Sequence, residues 1–278
     1  MTDLPIIFED NDLLVLNKAA GVIVNRATSH QQVSLQDQVS TYLGLTPPPL
    51  GLPAPDESTP PEVVFAFRAG MVHRLDKDTS GVILWAKNPP SLANLLRQFQ
   101  ARQVHKTYLC LVHGLERERE GRINLPLDRD RKNRQIMSVC PTGRFALTTY
   151  EVINYYRTFD AKRFLAIYQE KFPGKKLTAN RLAQIYQGFS LMRAWPHTGR
   201  THQIRAHLTH LGHPLVGDAA YLPRRKAALD HWWCPRQFLH AADIQLCHPF
   251  TGSPLHFSAP LPEDLQLALT WLSDQESL

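Results

Sequence analysis

Residues 71–87, MVHRLDKDTSGVILWAK, set one carboxylate, Asp76, between Arg74 and Lys77 in a polar turn that leads into an apolar strand. Cations on both sides favour the ionised form of the Asp. An ionised carboxylate on a rigid turn can act as a nucleophile, a metal ligand or an ion-pair anchor. Charged turns are also common on protein surfaces, and on composition alone this one reads as an ordinary turn closed by Thr79, Ser80 and Gly81. A chemical role for Asp76 therefore depends on what the rest of the chain supplies.

A second concentration of chemistry lies at residues 196–213, PHTGRTHQIRAHLTHLGH. The turn 196–200 precedes a helix expected over residues 201–211, with Thr201 as its cap, Ile204, Leu208 and Leu211 on its apolar face and Gly212 as its stop. Arg200 and Arg205 border the start of that helix, an arrangement suited to a phosphate or a carboxylate. His197, His202, His207, His210 and His213 crowd the same stretch, but it holds no HExxH pattern and no cysteine pair, so no metal site is expected. Residues 127–137, LDRDRKNRQIM, form the densest basic run, with Arg129, Arg131, Lys132 and Arg134. Such a run is either a solvated face or a set of salt-sensitive phosphate contacts. Tyr108 sits in mid-strand, where a tyrosine most often belongs to the packing of the sheet.

These groups must be positioned by the elements around them. Residues 6–17 read as two short strands about the turn 9–12, and residues 22–25 as a third strand. Closely spaced strands with polar turns point to antiparallel sheet. Ser34 and Asp37 have capping-box spacing at the start of a helix over 34–43. Residues 45–62 are Pro-rich and read as an extended surface loop. A helix opens at the Asn88-Pro89-Pro90-Ser91 sequence, with Leu92, Leu95, Leu96 and Phe99 at helical spacing. Strands follow at 104–113, 145–155 and 189–194. Within 157–186, residues 160–172 look helical, Pro173-Gly174 breaks them, and 177–187 fits either helix or strand. Residues 238–260 form a hairpin around the 249–252 turn, and a short helix over 263–272 closes the chain.

The whole chain sets limits on function. Its 278 residues, 43% hydrophobic and 20% charged, are those of an ordinary soluble globular protein. No apolar run reaches the roughly 18 residues of a membrane span, and the acidic start MTDLPIIFEDND has no leader pattern. Cys110, Cys140, Cys234 and Cys247 are unpaired in spacing and read as reduced thiols of a cytoplasmic protein. The net charge of +6 is compatible with a polyanionic partner.

Taken in order, the segments IIFEDNDLLVLNKAAG (6–21), HRLDKDTSG (73–81), KTYLCLVHG (106–114), GRFALTTYEV (143–152), PHTGRTHQIRAHLTHLGHPLVGD (196–218), LHAADIQLCHPFTG (239–252) and APLPEDLQ (259–266) resemble the RluA-type pseudouridine synthases, which isomerise uridine in ribosomal or transfer RNA. The resemblance covers most of the chain. It implies an α+β pseudouridine synthase fold: a long mixed, mainly antiparallel sheet with flanking helices and a central RNA-binding cleft. One catalytic domain, 1–278, is expected. By matching position, Asp76 takes the role of the catalytic aspartate, Tyr108 that of the tyrosine against the target base, and Arg205 that of the arginine paired with the aspartate. Arg74 matches a residue that fills the gap left by the flipped uridine. His73, Arg200 and Leu239 are placed at the substrate, and Arg129, Arg131, Lys132 and Arg134 on its phosphates. No cofactor and no metal are implied. The partner is a structured RNA, ribosomal slightly ahead of transfer RNA, and the protein is expected to be a monomer.

Three departures from the family pattern stand out. Its usual NKPAG turn is NKAAG here, with Ala19 for Pro, at a place read as distant from the chemistry. The small N-terminal RNA-binding domain of many relatives is not seen. Residues 157–186 form an insertion whose Lys162, Arg163, Lys171, Lys175, Lys176 and Arg181 could touch RNA or merely decorate the surface. A catalytically silent RNA-binding or ribosome-assembly factor is the competing reading, and it gives no reason for the Asp76, Tyr108 and Arg205 set. A glycosidase-like hydrolase would need two carboxylates flanking a bond, and the motifs offer one.

Overall fold

The apolar run 82–86 has no polar position to turn outward, and it lies in a strand in which every residue is buried. That strand anchors one of two compact units into which the chain packs, the first being Met1–Thr107 with His240–Pro260, the second Tyr108–Leu239 with Leu261–Leu278. The computed structural model describes residues 4–26, 33–46, 49–51, 54–56, 58–174 and 176–274. In chain order the elements are β1 (Ile6–Glu9), β2 (Leu13–Lys18), α1 (Leu35–Tyr42), α2 (Pro61–Arg68), β3 (Ser80–Ala86), α3 (Pro89–Gln100), β4 (His105–His113), β5 (Glu120–Asn124), β6 (Leu127–Arg129), β7 (Met137–Val139) and β8 (Leu147–Tyr156). They continue with β9 (Thr158–Phe159), α4 (Ala161–Lys171), α5 (Ala179–Ile185), β10 (Phe189–Pro196), α6 (Gln203–His210), α7 (Arg224–Asp230), β11 (Leu239–Cys247), β12 (Pro254–Ser258), α8 (Glu263–Leu269) and β13 (Leu272–Ser273). The fold is α+β, as expected, and among the described residues no helix is long and apolar enough to cross a membrane.

In the first unit, β2 pairs antiparallel with β1 on one side and β3 on the other. β3 then pairs in parallel with β11, with His240 opposite Ser80, and β11 turns back into β12. Leu13, Val15, Leu84 and Leu95, none of them exposed, form the heart of its core. Each such aliphatic side chain contributes roughly 1.5–3 kcal/mol on burial. α1 carries the expected capping box between Ser34 and Asp37. The third strand expected at 22–25 does not form. The carbonyls of Ile23 and Val24 instead accept the N–H groups of Leu35 and Gln36, at 2.8 and 2.9 Å, so this stretch completes the start of α1. The Pro-rich segment ends sooner than expected, because Pro60 and Pro61 open α2; residues 47, 48, 52, 53 and 57 of it lie outside the described residues.

In the second unit, β4, β10, β8 and β5 pair antiparallel in that order. The 157–186 segment supplies β9, α4 and α5, and it packs into the core. Phe164, Leu182 and Tyr186 join Phe189, Trp233 and Trp271 in one buried cluster. Two of its cations lie on that unit's own rings: the Arg163 guanidinium is 3.8 Å from the Trp271 centroid and the Lys171 ammonium 4.8 Å from that of Trp232. Lys175 lies outside the described residues.

Candidate active site

The turn that carries Asp76 is held from its backbone. Lys18, at the end of β2, is 1% exposed, and its ammonium donates to the carbonyls of Ala19, Lys77 and Thr79, each at 2.8 Å. The Gly21 N–H donates to Lys77 O at 3.0 Å. The NKAAG turn is therefore not distant from the Asp76 turn: it is the clamp on residues 77–79. On the far side of the turn, Ser80 Oγ lies 3.0 Å from His240 Nδ1, while His240 Nε2 lies 3.0 Å from the Ala259 carbonyl. A carbonyl can only accept, so Nε2 carries the proton and Nδ1 accepts from the Ser80 hydroxyl. Gly81 lets the two strands approach, since a Cβ there would stand 2.1 Å from Ala241 O. Between these clamps Asp76 is half-buried and Arg74 exposed.

His73 is placed differently from a charged substrate contact. Its Nε2 accepts the Leu84 N–H at 3.1 Å and its ring stacks on Phe99 at 5.0 Å. Burial, with repulsion from Lys106, pulls its pKa down from 6.5 to about 3, so the ring is neutral. The Lys106 ammonium lies 5.7 Å from the centre of the same Phe99 ring, and burial lowers its own pKa to about 8. His73 thereby links stability to pH. Below pH 6.5 the unfolded chain takes up a proton that the folded chain refuses until about pH 3, so stability present at neutral pH is lost as the pH falls through that window. His73→Gln should lessen the fall in urea midpoint between pH 7 and pH 5; an equal fall in the variant and the parent protein would refute this.

Tyr108 and Arg205 belong to the second unit. Tyr108 is 9% exposed and lies opposite Ala194 in the β4–β10 ladder. Arg205 is buried on α6. Its Nε and Nη2 donate to the two carboxylate oxygens of Asp218 at 2.7 and 2.8 Å, and its guanidinium carbon lies 5.1 Å from the centre of the Tyr221 ring. The anion site expected at this helix start is thus taken up on Arg205 by the chain's own carboxylate. Arg200 donates from Nε to the Phe145 carbonyl and is exposed.

α6 begins later than the sequence suggests. Thr201 does not cap it; the cap is His202, in the left-handed region at φ 51°. The Gln203 side chain folds back to accept from Thr198 Oγ1 and from the Arg200 N–H, and donates to Leu147 O and Thr148 Oγ1. Thr148 passes its own proton to His207 Nδ1, and His207 Nε2 donates to Leu125 O. Every donor in this chain meets an acceptor only if His207 is neutral, and burial pushes its pKa down in agreement. The histidine crowd thus serves in part to fix the helix that carries Arg205.

Arg129, Arg131, Lys132 and Arg134 are exposed on and beyond the β6 end of the β6–β7 hairpin. Leu239 is 4% exposed, so its side chain offers little surface. Charge is unevenly shared. The second unit holds 22 Lys and Arg against 14 Asp and Glu, a net +8, which leaves 9 against 11, a net −2, in the first. Among the described residues, the metal-ligating types come together at Asp10, Asp12 and His248. All three already serve in hydrogen bonds: Asp10 takes the Asp12 and Leu13 N–H groups and His248 Nε2, His248 Nδ1 takes the N–H groups of Phe250 and Thr251, and Asp12 Oδ1 takes Asn88 and Ser91. The cluster staples the hairpin turn to the β1–β2 turn.

Lys18, Asp218 and His240 were the residues that sequence reasoning undervalued. Lys18 and Asp218 stand at motif ends, where a turn residue and a functional one look alike, and His240 lies within an apolar strand.

Comparison with known proteins agrees with these motifs. A family model described as RNA pseudouridylate synthase matches residues 12–210. An RNA pseudouridine synthase of Chloroflexus aurantiacus is 37% identical over 261 residues, covering 94% of this chain and 67% of its own. The ribosomal large subunit pseudouridine synthase D of Pseudomonas aeruginosa is 33% identical, covering 99% of this chain and 74% of its own. Among solved structures, human RNA Pseudouridylate Synthase Domain Containing 1 superposes with a TM-score of 0.63 at 23% identity, over 94% of this chain and 84% of its own, which supports the same fold.

Proposed function

The chain belongs to the RNA pseudouridylate synthase family, and from that premise we propose that it converts specific uridines of large-subunit ribosomal RNA to pseudouridine, with Asp76 as the reacting carboxylate. Membership makes it an isomerase acting on RNA. The choice of ribosomal over transfer RNA is supported by relatives such as the large subunit synthase of Pseudomonas aeruginosa. The observation that carries the role of Asp76 is its turn: Lys18, Gly21 and the Ser80–His240 pair fix the backbone around a half-buried carboxylate. Fixing a reacting group in advance is how a site avoids reorganisation at the moment of reaction.

The rearrangement breaks the C1′–N1 bond, turns the uracil and forms a C1′–C5 bond, while the hydrogen on C5 passes to solvent and N1 gains one. Oxidation state is unchanged, so one anionic group can carry it. Asp76 acts at the ribose or at the base, and the resemblance assigns Arg205 to support it. Tyr108 lies against the base, and its hydroxyl can move a proton. Extracting the uridine from its stack costs a few kcal/mol, and Arg74, exposed beside Asp76, fills the space left behind. Arg129, Arg131, Lys132, Arg134 and Arg200 meet phosphates. His73 and Leu239 act by packing in this scheme rather than by touching RNA.

Deleting the gene and mapping pseudouridine across total RNA tests this reading. The expected result is the loss of one or more pseudouridines from large-subunit RNA, restored by the intact gene. Loss confined to transfer RNA would overturn the substrate, and loss at no position would leave a silent RNA-binding factor as the better reading.

A further inference from the structure

The first unit contains a pocket of about 160 Å³ lined by Asn25, Arg26, Gln36, Phe67, Arg68 and Met71, with Leu50 also on its lining. This is smaller than the ~300 Å³ at which pockets begin to hold drug-sized molecules; it has room for part of a nucleotide. Gln36 makes the floor rigid. Its Nε2 donates to the carbonyls of Phe67 and Arg68 at 3.4 and 3.0 Å, and its Oε1 accepts the Arg26 N–H at 3.0 Å. Arg26 is neutralised by Asp37, whose carboxylate lies 2.7 Å from its Nε.

Arg68 is the uncompensated charge. It ends α2, is half-buried, and its guanidinium makes no hydrogen bond or ion pair among the described residues. Burial of the group lowers its pKa. A charge withdrawn from water without a partner is costly, and a guanidinium fork matches a phosphate with two parallel hydrogen bonds. The pocket is also close to the chemistry. Met71, on its wall, precedes Asp76 by five residues, which span at most about 18 Å when fully extended. That is within reach of the nucleotides next to a base held at Asp76.

We infer that the Arg68 pocket is a subsite for a backbone phosphate of the RNA strand that carries the target uridine. Arg68 supplies the charge, the Phe67 and Met71 side chains give an apolar wall on which the sugar can rest, and Gln36 keeps the pocket open. The inference rests on the reading of the protein as an RNA-modifying enzyme.

The test uses the full chain and unmodified large-subunit ribosomal RNA transcribed in vitro. Affinity is measured across a salt series for the parent protein, Arg68→Gln and Arg68→Lys, with thermal unfolding to check each variant. Arg68→Gln is expected to bind several-fold more weakly and to lower the slope of log K against log salt by about 0.7–0.9, the loss of one phosphate contact. Arg68→Lys should keep the slope and recover part of the affinity, and it carries the test should Arg68→Gln not fold. Equal affinity and slope in all three proteins would overturn the subsite. So would protection of the parent protein, but not Arg68→Gln, by inorganic phosphate in thermal unfolding, with RNA binding alike in both; that marks a site for a free anion. Pseudouridine formation is scored separately. A parent protein that binds through Arg68 but forms no pseudouridine removes the functional reading and leaves the subsite, whereas one that forms it with an Arg68-independent salt slope removes the subsite alone.

Discussion

Asp76→Asn is expected to lower the single-turnover rate of pseudouridine formation by about 10⁴-fold or more, at least ~5.5 kcal/mol of barrier, with RNA affinity close to that of the parent protein. The amide matches the carboxylate in size but has neither its charge nor its nucleophilicity. The turn keeps its bonds to Lys18, Gly21 and His240, all of which involve backbone or other side chains. The loss is therefore one of chemistry rather than of fold. Tritium release from RNA labelled at uracil C5 reads the bond change directly, because that hydrogen leaves only when C5 joins the sugar. A rate within tenfold of the parent protein would remove Asp76 from the reaction.

Asp218→Asn is expected to destabilise the second unit by about 3–5 kcal/mol, the usual cost of stripping one partner from a buried ion pair. Arg205 and Asp218 are 6% and 1% exposed, and their two short contacts are bidentate. With an amide at 218 the guanidinium keeps its charge but loses the bidentate carboxylate it donates to in a buried setting. Isomerisation should fall as well, since an Arg205 that has lost its anchor is no longer held in one direction. Urea unfolding supplies the first readout. The double variant Arg205→Met, Asp218→Asn supplies a second: removing both charges should recover part of the stability that Asp218→Asn alone loses. Strict additivity of the two single effects would show that the pair is not coupled.

Elements whose local sequence and tertiary setting agree were legible before any coordinates. The capping box of α1, the Asn88 start of α3 and the β11–β12 hairpin are of this kind. Residues 22–25 have the β-branched composition of a strand, yet the Ile23 and Val24 carbonyls are taken by the free N–H groups at the start of α1, a demand that comes from twelve residues away. Thr201 has the right side chain for a cap, yet the helix starts one residue later, with His202 in the left-handed region at the cap and no side chain capping it. Lys18 reads in sequence as part of the NKAAG turn, and burying a lysine is unfavourable until three carbonyls are brought to it, two of which come from a turn about sixty residues on. The motif residues Asp76, Tyr108 and Arg205 were legible by resemblance. Asp218 was quoted in the same motif without a role, since nothing in linear spacing distinguishes a carboxylate that anchors an arginine from one that ends a turn.

The parallel pairing of β3 with β11 has a consequence for how the protein comes off the ribosome. His240 is 160 residues beyond Ser80, and at about 5–20 residues per second its synthesis lags by roughly 8–32 s. The Asp76 turn can meet Lys18 as soon as residues 1–107 emerge, but its second clamp arrives only after residues 108–239, the larger part of the second unit, have been translated. The nascent first unit thus waits with one edge of β3 uncovered, and the reacting residue acquires its full support only near the end of translation.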